Sequence, residues 1–244
     1  MRRLVVCIGM LLTCAWGSSS QAATITFDNV VGAWSNVSGG AGVNFISSGG
    51  GAASVNWGTT LPQSGYDFFS ATPPPVDVVV PPSPSAPFTL GDFQHRNRPI
   101  PAGTSITAAT LTISMDVSVD GSPLGSKNFV FDFLHNETPN GANPCADGGA
   151  NGVGVNVNGC ADQVRFVYNN LSDTFTVGNI TYTVDLFGFV LPNGGVATEF
   201  WTTENAANRA TLQGVVRQHV PEPATLLLFG LGLAGLTARL TRRR

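Results

Sequence analysis

Residues 105–121 read SITAATLTISMDVSVDG, and from Ala109 to Asp120 apolar and polar side chains alternate without a break. Ala109, Leu111, Ile113, Met115, Val117 and Val119 fall on one side. Thr110, Thr112, Ser114, Asp116, Ser118 and Asp120 fall on the other. A period of two sustained over a dozen residues belongs to a strand with one face buried and one solvated. Such a strand needs a partner for its backbone and a cover for its apolar face. Asp120-Gly121 supplies a turn signal, and NFVFDFL follows with Phe129, Phe131 and Phe133 in phase, which predicts the next strand.

Further short strands are predicted at TITF, SVNW, FTLGDF, QVRFVY, TFTV, ITYTVDLFGFV, VATEFW and ATLQGVV, most of them separated by Gly, Asn, Pro or Asp. Many short strands with closely spaced turns predict an all-β, single-domain β-sandwich or jelly roll. Phe166 with Tyr168, and Phe187 with Phe189, are expected to fill the space between its sheets. Seven of the residues in 73–87 are proline. Proline lacks the ladder donor, so this segment is expected to be an extended surface loop within one domain.

The two ends have a different character. Residues 1–22 combine Arg2 and Arg3, an apolar run over 4–16 and small residues at Ser20 and Ala22. These are the three parts of a secretory signal helix, too short for a membrane span and cut after Ala22 or Ala23. The export translocon and signal peptidase are therefore expected partners. Cys145 and Cys160 are then the two cysteines left in the mature chain, and an even count in an exported protein predicts a disulfide. It would close a Gly/Asn-rich loop and contribute roughly 3 kcal/mol. From 23 to 220 there are six basic and fourteen acidic residues. That mildly acidic body is a poor match for nucleic acid, which requires clustered Lys and Arg.

Catalytic constellations are sparse. HNETPNGANPC begins like the zinc deaminase signature, with His135, Glu137, Pro144 and Cys145 in place. Position 148 is Gly where that signature needs Cys, and the chemistry is set aside. Asp147 and Asp162 flank the glycine-rich loop and could contribute to a calcium site, although a plain disulfide-closed loop is preferred. No G-x-S-x-G occurs. Glu199, Glu204 and Asp185 could serve glycosidase chemistry, but solvated acids with Trp201 in the core are expected instead. No catalytic residue, cofactor or metal ligand set is assigned, and the chain is expected not to be an enzyme.

The chain closes with VPEPATLLLFGLGLAGLTARLTRRR. Residues 224–238 would make an apolar helix of about 22 Å, short for a bilayer core of about 30 Å. Arg239, Arg242, Arg243 and Arg244 would hold its end in the cytoplasm. Pro221 and Pro223 keep the preceding chain extended. Motif, apolar helix and basic end in this order closely resemble the PEP-CTERM sorting signal of Gram-negative bacteria. The resemblance implies that Val220, Pro221, Glu222 and Pro223 are read by exosortase, a membrane-embedded processing enzyme. It divides the chain into a signal peptide (1–22), an exported domain (23–219) and a sorting tail (220–244). It also implies a transient inner-membrane intermediate, then the cell surface or extracellular matrix, with exopolysaccharide as a further partner.

The body has a second resemblance. FTLGDFQHRNRPI, ETPN, DQVRF and FWTTENAANRATLQGVV are similar to the exported domain of THxN-type PEP-CTERM proteins, related to domains called choice-of-anchor K. The Thr-His-x-Asn core of that family falls on Gln94-His95-Arg96-Asn97, where Gln94 departs from the pattern and His95, Asn97, Pro99 and Ile100 fit. Two roles are open for His95 and Asn97. They could join Glu137, Asn140 and Glu204 in a cluster that binds a sugar or an ion. They could instead pin the junction before Pro99 through hydrogen bonds to buried backbone, and this second role is preferred. The expected function is a structural or interaction protein of the envelope or matrix. The alternative is a secreted carbohydrate-active enzyme or a calcium- or glycan-binding module.

Overall fold

The computed structural model describes residues 21–48, 52–80 and 84–219. The alternating run forms β7 (Ile106–Val119), which turns at Asp120-Gly121 into β8 (Ser122–Asn136). Both turn residues have positive φ, 48° and 76°, as a two-residue type I′ hairpin requires. Ala109, Leu111 and Ile113 stand opposite Phe133, Phe131 and Phe129 across the ladder. All six are buried.

This hairpin is the middle of a six-stranded sheet. On one side of it lie β1 (Gln21–Gly39) and then β5 (Val76–Val80); on the other lie β9 (Asp162–Val167) and then β13 (Glu199–Thr202). The second sheet runs β10 (Phe175–Val177), β11 (Ile180–Val190), β14 (Ala206–Gln218), β6 (Phe88–Asn97), β4 (Ser64–Ser70), β3 (Ala52–Trp57) and β2 (Asn44–Ser48). The two-residue β12 (Val196–Ala197) is added on β11. All these ladders are antiparallel. The fold is thus all-β and sandwich-like, as the alternation and turn spacing predict.

Aromatic rings join the sheets. Phe93 of β6 stacks on Phe133 of β8 with centroids 5.3 Å apart and planes 1° from parallel. Phe27 stacks on Phe88 at 5.2 Å, Trp34 meets Tyr66 at 5.4 Å and Phe166 meets Phe189 at 5.6 Å. Each pair takes one ring from each sheet. Burying rings of this size contributes about 2 kcal/mol apiece and is the main force closing the sandwich.

Several expectations need correction. Tyr168 and Phe187 do not fill the core; they are exposed, and Phe166 and Phe189 alone point inward. Along β11, Tyr182, Val184 and Leu186 face inward and Phe187 therefore points outward; the bulge between Leu186 and Gly188 then shifts the phase and brings Phe189 inward, while β9 ends before Tyr168. Trp201 is also not a core residue: it is half-buried, and the neighbouring Phe200 takes the inward place. The proline-rich segment is not wholly a loop. Its proline-free VDVVV is β5, at the edge of the first sheet, with Val76 buried. An edge strand flanked by prolines satisfies the ladder without proline inside it.

The strand predicted at TITF is the start of the much longer β1. Its alternation is broken at three register shifts, and in the first two Asn29 and Asn36 take positive φ of 51° and 47°. Asn tolerates that conformation better than most residues. The signal helix (1–22) has residues 1–20 outside the described residues, and Gln21 and Ala22 pair with Val80 and Val79. The tail helix (224–238) lies entirely outside them. Among the described residues no helix is long and apolar enough to cross a membrane.

Cys145 and Cys160 form the predicted disulfide, with Cα atoms 5.3 Å apart. Within the loop it closes, buried Asn156 donates to both Asp147 carboxylate oxygens at 3.0 Å and accepts from the Ala161 N–H at 2.8 Å. The loop is therefore tied to the residue that precedes Asp162. The Cys145→Ser, Cys160→Ser variant is expected to lose about 3 kcal/mol in urea unfolding, and reductant should have no further effect on it.

Gly32 is a packing position that the sequence does not announce. A Cβ there would stand 2.3 Å from the Phe68 ring, itself wholly buried. Gly32→Ala is expected to destabilise the fold by about 1–3 kcal/mol through overpacking, read as a lower urea midpoint with unchanged slope.

Candidate functional site

The inward row of β6 runs through Phe93 to His95 and Asn97; that of β8 runs through Phe129, Phe131 and Phe133 to His135. Period two carries both rows from apolar to polar at the same end of the sandwich. Because Phe93 stacks on Phe133, the next inward residues also meet: the His95 and His135 rings lie edge to face at 5.1 Å. Trp57 stacks over His95 at 5.8 Å, and Tyr66 lies 5.2 Å from it. Both imidazoles are shut away from solvent, His95 completely.

Acids converge on the same end. Asp162 opens β9, Glu137 follows β8, and Glu204 lies in the turn between β13 and β14. One ligand-type atom from each of His95, His135 and Asp162 lies within 4.8 Å of the other two. The same holds for Glu137, Asp162 and Glu204. Asp162 and Glu204 are wholly buried, while Glu137 is half-buried beside a depression lined by Ile100, Ser105, Thr138, Pro139 and Asn140.

The hydrogen bonds fix much of this cluster. The Thr202 hydroxyl donates to the Asp162 carbonyl at 3.0 Å. Its oxygen can therefore only accept from His95 Nδ1, at 2.9 Å. Neutral His95 thus carries its proton on Nδ1, and its Nε2 lone pair is buried with no partner among the described residues. His135 Nδ1 meets the Tyr66 hydroxyl at 2.7 Å, and its Nε2 meets Glu137 at 3.3 Å. Asp162 Oδ1 accepts from the Thr138 N–H at 2.7 Å, while Oδ2 has no donor. Both Glu204 oxygens and Asn140 Oδ1 are likewise buried without a hydrogen-bond partner among the described residues. The Asn140 side chain and the Asn205 N–H lie near enough to influence Glu204, but neither makes a hydrogen bond of standard geometry.

The protonation equilibria follow from this setting. Burial lowers His95 well below the usual imidazole value, and the neighbouring His135 and Arg96 add to the effect. Burial raises Asp162 far above the carboxylate range, reinforced by the Glu137 charge. Burial pushes Glu204 up to about 7, again helped by Glu137, with Asn140, Asn205 and Arg98 opposing. Three carboxylates so close together cannot all ionise without a compensating cation.

Of the residues singled out from sequence, His95, Glu137, Asn140 and Glu204 do come together, at one end of the sandwich. Asn97 is beside them, its amide donating to the Thr202 carbonyl at 3.0 Å. That bond holds the end of β6, two residues before the exposed Pro99, to buried backbone, and in doing so joins the two sheets. Asp147 does not join Asp162, because Asn156 holds it inside the disulfide loop. The expected solvation of Glu204 is wrong: the turn after Thr202 folds it inward. Glu199 is exposed, and Asp185 lies elsewhere, 3.8 Å from Arg217. His135-x-Glu137 was the one local pattern that pointed to a ligand, and its partner Cys145 is taken by the disulfide. Tyr66 and Thr202 gave no such local indication, and Asp162 stood out only beside Asp147, for calcium. The residues Val220, Pro221, Glu222, Pro223, Arg239, Arg242, Arg243 and Arg244 lie outside the described residues.

Residues 219–244 match the family description PEP-CTERM protein-sorting motif. No curated protein matches the chain.

Glu204 makes the electrostatics measurable. Its folded pKa of about 7 stands above the ordinary 4.5, so it favours the fold below pH 4.5 and that advantage is lost as the pH rises to about 7. Gln cannot titrate. In urea titrations with EDTA, Glu204→Gln should gain on the parent between these pH values, by roughly 2–3 kcal/mol, and then level off.

Proposed function

We propose that this chain is an exported protein of the cell envelope or extracellular matrix, delivered there through its C-terminal tail. The observation that carries this is the sorting motif at residues 219–244. Such a motif implies an exported protein that is a substrate of exosortase. The disulfide supports export, since such bonds form and persist in oxidising compartments. In this scheme residues 1–22 engage the translocon and signal peptidase, and residues 23–219 are the delivered domain. Residues 224–238 pause in the inner membrane of a Gram-negative cell, with Arg239 to Arg244 on its cytoplasmic side. The mature body then acts as a structural or interaction module, with secreted polysaccharide as its neighbour. The THxN-type, choice-of-anchor K-like resemblance rests on His95, Asn97 and Pro99 and belongs to the same proposal.

A binding module is favoured over a carbohydrate-active enzyme. Glu137, Asp162 and Glu204 are close to the spacing of a retaining glycosidase pair. Asp162 and Glu204 are wholly buried, however, and no sugar ring reaches between them. The open depression beside Trp201 contains Glu199 as its carboxylate. That arrangement lacks the second acid which either hydrolytic mechanism needs.

Mass spectrometry of the mature protein from its native cells should show a C-terminus near residues 220–223. Inactivating exosortase should leave the tail attached and the protein in the membrane fraction. A mature chain still ending at Arg244 in wild-type cells would overturn the proposal.

A further inference from the structure

We propose that His95, His135, Glu137, Asp162 and Glu204 form a binding site for a divalent transition-metal ion of the zinc class, buried at the end of the sandwich where the two sheets meet. The acids alone would not carry this. The deciding group is His95, whose side chain is fully buried. Its Nδ1–H is committed to Thr202, so a bare Nε2 lone pair is left without any donor. A buried imidazole nitrogen with no partner is costly to leave unmade. Here it belongs to a group that includes His135 and the unpartnered Asp162 Oδ2.

The surroundings match what metal ligation asks of a histidine. A ligating imidazole usually donates its other N–H to an oxygen, which fixes the ring. For His95 that oxygen is Thr202 Oγ1, and for His135 it is the Tyr66 hydroxyl at 2.7 Å. Nε2 of His135, which meets Glu137 at 3.3 Å, would be freed for the ion with Nδ1–H turned to Tyr66, whose hydroxyl can accept as well as donate. Asp162 is held through Oδ1 by the Thr138 N–H, leaving Oδ2 for the ion. Glu204 offers two donor-free oxygens, and the half-buried Glu137 stands at the entrance beside the open depression.

The donor set selects the metal. Two imidazole nitrogens disfavour Ca²⁺ and Mg²⁺, which take oxygen shells, and suit zinc and its first-row neighbours. A dication would also offset the mutual repulsion of the three carboxylates. The disulfide-closed loop ends at Cys160, two residues before Asp162, so it stiffens the approach to one ligand.

This proposal concerns the body and does not depend on the sorting tail: tail processing and metal uptake are read separately and can fail separately. Its test uses the full-length exported protein, stripped with EDTA and titrated with Zn²⁺ by calorimetry. One ion per chain is expected, with Tm raised by about 5–10 °C at a hundredfold excess over Kd. Glu137→Gln, at the accessible mouth where folding is not at risk, should weaken Zn²⁺ binding at least about tenfold. Glu204→Gln should do the same, whereas Asp147→Asn, in the neighbouring loop, should leave it unchanged. Absence of saturable Zn²⁺ binding would overturn the proposal. So would Zn²⁺ binding that survives both Glu variants intact, or a preference for Ca²⁺ over Zn²⁺.

Discussion

The stack of Phe93 on Phe133 sets the geometry of the whole molecule. It joins the middle of one sheet to the middle of the other with nearly parallel rings. A strand repeats every two residues, so aligning one pair of inward side chains aligns the pairs on either side. In one direction this builds an aromatic core of Trp34, Phe27, Phe88 and their neighbours. In the other it brings His95 against His135. The apolar core and the polar end are thus consequences of one register.

That polar end is expensive by the ordinary rules of burial. Unpartnered Glu204, Asp162 Oδ2 and His95 Nε2 each face an environment that does not solvate them. The rest of the domain accommodates this through a large apolar interior and a network that fixes the cluster's outer atoms. Thr202 illustrates the point. Its carbonyl accepts from Asn97, its hydroxyl donates to Asp162, and its oxygen accepts from His95. One threonine at the end of β13 therefore ties both sheets together and sets the His95 tautomer.

The two parts of the chain answer different questions. The tail carries a sorting motif within 26 consecutive residues, legible in linear order. The body is a folded unit whose buried polar cluster is assembled from side chains separated by up to more than a hundred positions. Their separation explains why the sorting motif is matched over residues 219–244 while the body is understood through its geometry.

Sequence alone determined the all-β class, because the alternation in 105–121 and the phased Phe129, Phe131 and Phe133 permit only a half-buried strand pair. It determined the Cys145–Cys160 partnership, as the remaining pair in an exported chain, and the sorting motif at residues 219–244. It also held two of the five cluster residues in view, since His135 continues the row Phe129, Phe131, Phe133 and His95 follows Phe93 by the same period of two. Tertiary structure decided the rest. Bulges beside Asn29, Asn36 and Phe187 moved side chains between faces, which an unbroken alternation cannot anticipate. The turn carrying Glu204 folded inward, and β9 brought Asp162 to the histidines. Whether an acid is solvated or buried against two imidazoles depends on contacts between distant strands, and those exist only once the sheets have closed.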